Sequence, residues 1–245
     1  MFQDLNRLLK DSFEFFFANF TVILSLILPV LLPVTIFGLF AEQAWIVEDN
    51  SNAAQVYASI AFVNALTYPL YHAALIRFMH DRINGHQIAG AGAYYFSALR
   101  LWLPLLILNL MIGFSILAGL LLLIIPGLIL MVRMTFAEFY CVLEQKKPVT
   151  AFKLSWQDTK ADFWLILTGA GVIYMTLFTL ESGLSMLFGD NTLGVVMDAV
   201  LRVFFGVCYT LFTIFAYRMY VRHVQLSQDN DQERDDDSRR EDDQD

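Results

Sequence analysis

Residues 20–41 read FTVILSLILPVLLPVTIFGLFA, a stretch with no charged side chain. A helix rising 1.5 Å per residue needs about 20 apolar residues to cross the roughly 30 Å hydrocarbon core of a bilayer. This stretch is long enough. Pro29 and Pro33 predict kinks within it, because each removes one helical hydrogen bond that neighbouring helices can replace in a membrane. Working outward, comparable apolar runs recur near residues 53–78, 101–118, 119–141, 163–188 and 193–221. Six spans are expected. The composition agrees, since 57% hydrophobic against 16% charged residues lies outside the balance of a soluble domain. Asp4, Asp11 and Glu14 precede the first run, which is also too long for the apolar core of a signal peptide, so it is read as a span.

The formal charge of −8 invites a search for basic partners until it is located. From Ser227 the chain reads SQDNDQERDDDSRREDDQD, and nearly all of the excess negative charge falls there. The division expected is a membrane domain over 1–226 and a disordered acidic tail over 227–245, because such a run has no apolar surface to bury. Elsewhere the charge is sorted by loop. Arg7, Lys10, Arg77, Arg82, Arg100, Lys146, Lys147, Lys153, Lys160, Arg218 and Arg222 flank the spans on one side. The alternate connections, AEQAWIVEDNSN at 41–52, the tight turn expected near Ala118-Gly119, and GDNT at 189–192, contain no Lys or Arg. By the positive-inside rule both termini are expected in the cytoplasm.

The segments before spans 1, 3 and 5 share a character. Residues 2–16 place Phe2, Leu5, Leu9, Phe13 and Phe16 on one helical face, with Gln3, Arg7, Lys10, Asp11 and Glu14 opposite, the pattern of an interfacial helix. Residues 149–162, VTAFKLSWQDTKAD, set Val149, Phe152 and Trp156 against Lys153, Gln157 and Lys160. Ser12-Phe13 and Ala18-Asn19-Phe20 align with Ser155-Trp156 and Ala161-Asp162-Phe163. A weaker copy, AYYFSALRLW at 93–102, aligns Trp102 with Phe20. The expected fold class is thus an all-α membrane protein with six transmembrane helices in three hairpins, each preceded by a cytoplasmic-side interfacial amphipathic helix.

Residues 125–165, IPGLILMVRMTFAEFYCVLEQKKPVTAFKLSWQDTKADFWL, resemble the signature stretch of the YciC-like bacterial inner-membrane proteins. They are also similar to the six-helix membrane domain fused to some glycerophosphodiester phosphodiesterases. Pro126-Gly127, Arg133, Glu144, Ala151, Ser155-Trp156 and Phe163-Trp164 carry the resemblance; the acidic tail is not a family feature. The resemblance implies a multi-pass protein of the bacterial inner membrane, connected with envelope or lipid maintenance. It implies no phosphodiesterase activity, which belongs to a separate soluble domain.

Ionisable residues inside spans are functional candidates, since hydrocarbon penalises them by several kcal/mol. Four are singled out: Arg133, Glu181, Asp198 and Arg202. Asp198 and Arg202 are four apart on one helix and are expected to pair, with Glu181 within reach of Arg202. Arg133 is expected to snorkel to lipid phosphate or to reach Glu138 or Glu144. Phe13, Trp102, Trp156, Lys153 and Lys160 are the expected interfacial contacts. Pro69 and Pro126 predict further kinks, and Pro104 reads as a first-turn proline. GAG at 169–171 offers a small patch for close packing.

Cys141 and Cys208 read as packing residues, and His72, His80, His86 and His223 as surface or interface histidines without ligand spacing. No catalytic constellation, metal set or phosphate loop is recognised, so the expectation is a non-enzymatic protein without cofactor. Its expected partners are membrane lipids and a membrane protein or second copy of the chain, with nothing suited to nucleic acid. It would organise lipids or partner proteins. The alternative is a small transporter or channel with a polar path near Glu181, Asp198 and Arg202.

Overall fold

The computed structural model describes residues 2–42, 53–187 and 192–242. They form ten helices and, among the described residues, no strand. These are α1 (Phe2–Ala18), α2 (Phe20–Ala41), α3 (Ala53–Ile83), α4 (Ala91–Leu122), α5 (Ile124–Arg133), α6 (Ala137–Val142), α7 (Pro148–Asp158), α8 (Phe163–Ser185), α9 (Thr192–Cys208) and α10 (Thr210–Asp242). Six helical stretches are long and apolar enough to cross a membrane: Phe20–Ala41, Ala53–Ile83, Ala91–Leu122, Ile124–Val142, Phe163–Ser185 and Val196–Gln228. The helical backbone of α10 continues to Asp242, through the stretch whose composition predicts disorder. The loops around 43–52 and 188–191, on which part of the charge asymmetry rests, lie outside the described residues.

α1 and α7 match closely where the sequence aligns them. Ser12 and Ser155 are both fully buried, while the aromatic residue after each, Phe13 and Trp156, is 44% and 42% exposed. Each helix then breaks before an apolar one, at Asn19 (φ −117°, ψ 16°) and at Asp162 (φ −100°, ψ 12°). Asn and Asp compete with the helix through short polar side chains, so a break there is expected.

Phe13 and Trp156, the expected interfacial aromatics, point away from the protein. α1 has an apolar arc wide enough for two environments: Leu5, Ser12 and Phe16 meet the protein, and Phe13 and Phe17 point away from it. On α7 the core takes the small stripe Ala151, Ser155 and Thr159, which lets the backbone approach closely.

The middle copy differs. Residues 91–122 form one continuous helix, with no break between a surface segment and a span. Leu101 stands where Asn19 and Asp162 stand in the other copies, and leucine is a strong helix former. Trp102 is therefore not on a separate surface helix; its indole Nε1 donates to the Leu66 carbonyl of α3 at 2.8 Å. Pro104 lies inside α4 rather than in a first turn.

The turn expected at Ala118-Gly119 falls instead at Leu123, between α4 and α5. Gly119 remains in α4 because it faces Gly127 of α5: a Cβ there would lie 2.9 Å from the Gly127 Cα. Only glycine permits that approach. Pro126 falls within the first turn of α5, where its missing N–H has no helical partner to lose. It starts a helix instead of kinking one. In α8, Gly169 gives room to the Phe215 ring, whose Cζ would lie 2.2 Å from an added Cβ, whereas Gly171 faces open space.

The core runs unevenly along the bundle. Ala73–Ile76, Phe78 and Met79 of α3, Ala137 and Phe139–Val142 of α6, and Ile214–Tyr217 of α10 are buried. By contrast Leu120–Ile125 at the α4–α5 turn are 44–80% exposed.

Candidate functional site

Three polar clusters lie in or beside the apolar helices. The first is the break between α5 and α6. Ser155 of α7 donates to the Arg133 carbonyl at 2.7 Å and accepts the Phe136 N–H at 3.1 Å. Thr159 adds a bond to the same carbonyl at 3.2 Å. Backbone groups freed by the break are thereby satisfied, as burial requires.

The arrangement fixes Arg133. Its Nη1 donates to the Trp156 carbonyl at 3.0 Å, and its guanidinium lies 5.2 Å from the Trp156 ring and 5.8 Å from the Phe163 ring. Such cation–π contacts contribute about 0.5–2 kcal/mol each. Arg133 reaches neither Glu138 nor Glu144, and its Nε is buried without a partner. Those carboxylates are engaged elsewhere: Glu144 accepts the Tyr220 hydroxyl at 2.6 Å, and Glu138 takes His72. Lys153 on α7 and Lys160, in the turn after it, are exposed. Arg77 and Arg218 each keep a buried Nε, and Arg222 a buried Nη1, with no partner among the described residues.

The second cluster contains the other candidates. Arg202 donates from Nε to Asp198 at 2.7 Å, as the four-residue spacing predicts. Its Nη1 turns to Glu42 at the end of α2, at 3.2 Å, rather than to Glu181. Glu181 accepts the Tyr209 hydroxyl at 2.8 Å, and Ser185 donates to Asp198 at 3.1 Å. Glu181, Ser182, Ser185, Asp198 and Arg202 line an open recess of about 450 Å³. All three charges of the Arg202 triad are partly exposed, so the cluster is open rather than sealed.

The third cluster was missed by the reading of the sequence. His72 is no surface histidine: its Nδ1 lies 2.7 Å from the Glu138 Oε2, and the side chains are 9% and 15% exposed. Nε2 of the same ring is 3.1 Å from the Thr213 Oγ1, and Tyr68 stacks on it with centroids 4.6 Å apart. α3, α6 and α10 each supply one member. His80 and His223 are likewise engaged, His80 with the Tyr217 hydroxyl at 3.1 Å and His223 near Asp158 at 3.8 Å. The signal available in the sequence was Glu138 itself, an acid within an apolar run.

Among the described residues no three His, Cys, Asp or Glu side chains gather as a metal site. No protein-family model, no curated protein and no solved structure matches this chain.

Proposed function

We propose that this chain is a non-enzymatic integral membrane protein that organises anionic lipid, and through it partner proteins, at the cytoplasmic face of a bacterial inner membrane. The reading takes the six apolar helices as three hairpins with both termini cytoplasmic, α1 and α7 as helices lying in the interface, and the chain as YciC-like. The observation that carries it is Arg133, a cation held between two aromatic rings with a buried donor and no carboxylate partner. A phosphate oxygen completes such a site, because a charge-assisted hydrogen bond to guanidinium is roughly twice as strong as a neutral one. Arg77, Arg218 and Arg222 add unpartnered nitrogens. The exposed aromatics Phe13, Phe17, Trp156 and Trp164 suit the headgroup boundary.

The test is lipid mass spectrometry on the full chain extracted in native nanodiscs. Anionic phospholipid should be enriched over the bulk membrane, and Arg133→Gln should remove a several-fold part of that enrichment while the protein still folds. A lipid profile equal to bulk membrane in both would overturn the proposal.

A second reading, a small transporter or channel, is favoured by the recess lined by Glu181, Asp198 and Arg202. Replacing all three by apolar residues should abolish solute flux in proteoliposomes if this reading holds.

A further inference from the structure

The His72–Glu138 cluster opens onto a cavity of about 210 Å³, lined also by Tyr68, Asn109, Tyr174 and Phe212. We infer that this cavity is a binding site for a small organic cation, a protonated amine that carries a hydrogen-bond acceptor next to its ammonium group. The inference goes beyond the lipid proposal and does not depend on it, since none of these residues takes part in the Arg133 cluster.

Charge decides the sign of the guest. Glu138 is the only acid on the wall, His72 the only base, and no Lys or Arg lines the cavity. A carboxylate on the wall favours a cationic guest, and an anion placed beside it would be repelled and uncompensated, at a cost of several kcal/mol. A metal is disfavoured by the donor set, because His72 and Glu138 make only two ligands where a structural or catalytic site uses three or four.

Shape and lining decide the class. Tyr68, Phe139, Tyr174 and Phe212 line the same cavity as the Glu138 carboxylate, a composition that suits an ammonium held by cation–π attraction together with a charged hydrogen bond. The cavity, about 210 Å³, exceeds the ~150 Å³ apolar cavity that accommodates benzene. It has a mouth, since Met131 on its wall is 50% exposed.

Asn109 supplies the second recognition element. Its Nδ2 is buried and without an acceptor among the described residues, and the side chain lines this cavity. Orphaned donors of this kind are rare in folded proteins, because leaving one unmade costs about 1–3 kcal/mol. A guest hydroxyl or carbonyl oxygen satisfies it.

The test uses the full chain in nanodiscs and isothermal titration at neutral pH, with three probes of one size. These are 2-amino-1-phenylethanol, its neutral counterpart 1-phenyl-1,2-ethanediol, and 2-phenylethylamine, which lacks the acceptor. The amino alcohol should bind about tenfold or more tightly than the diol. Glu138→Gln should erase that preference, with its residual heat giving the baseline for partition into lipid. Asn109→Ala should weaken the amino alcohol about three- to tenfold and leave 2-phenylethylamine unchanged. Equal binding of amine and diol, absence of binding by all three, or an unaltered preference in Glu138→Gln would overturn the inference. Should Glu138→Gln not fold, the amine-to-diol ratio on the unaltered chain decides alone.

Discussion

At the end of the bundle where α3 and α10 approach the basic segments, Phe78, Phe136, Phe139, Phe215 and Tyr217 are almost completely buried. At the other end Phe40, Phe62, Phe114, Phe178 and Phe204 are 50–72% exposed. Both ends carry phenylalanines, so the presence of large apolar side chains alone does not explain the difference. Small residues do: Ala73, Ala74, Ala98, Ala137, Ala151 and Ala216 are buried in the packed half, and Gly169 admits Phe215. Without a hydrophobic drive between helices in lipid, close backbone approach is what holds them together. Among the described residues the open half has fewer such contacts, chiefly the Gly119–Gly127 crossing and Gly206 against Leu31. Polar chemistry divides the same way, with the largely buried His72–Glu138 pair in the packed half and the half-exposed Glu42–Arg202–Asp198 triad in the open one.

Truncation should separate the halves most sharply. Phe215→Ala should cost about 3–5 kcal/mol, and Phe178→Ala, 62% exposed, within about 0.5 kcal/mol, read as thermal unfolding of the purified chain in mild detergent. Equal losses would mean that the open half is packed in the membrane by something else. Next in size is Ser155→Ala, which orphans the Phe136 N–H and leaves the Arg133 carbonyl only the Thr159 hydroxyl, and should cost about 1–3 kcal/mol. Ser12→Ala, whose hydroxyl bonds only the Leu8 carbonyl of its own helix, should cost about 0.5–1 kcal/mol. Smallest is the surface triad: the coupling between Glu42 and Arg202 in a double-mutant cycle with Gln at both positions should stay below about 1 kcal/mol, because Arg202 is 47% exposed. Which half faces outward is read by labelling: a cysteine at Asn191 should react with an impermeant thiol reagent on intact cells, and one at Lys160 should not.

The six apolar helices were legible because length and the absence of charge are properties of a contiguous run. Asp198–Arg202 was legible for a similar reason, as its four-residue spacing is set by one helix. Glu42, His72, Thr213 and Tyr209 were not, because their partners lie on other helices and no local period connects them. Glu138 reads as a possible mate for Arg133 on its own chain segment, whereas tertiary packing gives it to His72 of α3. The matched positions of Ser12 and Ser155 were readable, yet the direction of the aromatic neighbours was not. A sequence shows an apolar arc without saying which part meets protein and which meets lipid.

The unbroken course of α4 sets it apart from the interrupted pairs α1–α2 and α7–α8. At 1.5 Å per residue its 32 residues form a rod of about 48 Å, longer than the hydrocarbon is thick, so tilting one end displaces the other. α1–α2 and α7–α8 have joints at Asn19 and Asp162 where that displacement is absorbed. Leu101 thus gives the protein a strut between two hinged arms, and anything that reorients Phe96 and Arg100 near one end of the strut is felt at Leu122, near its far tip.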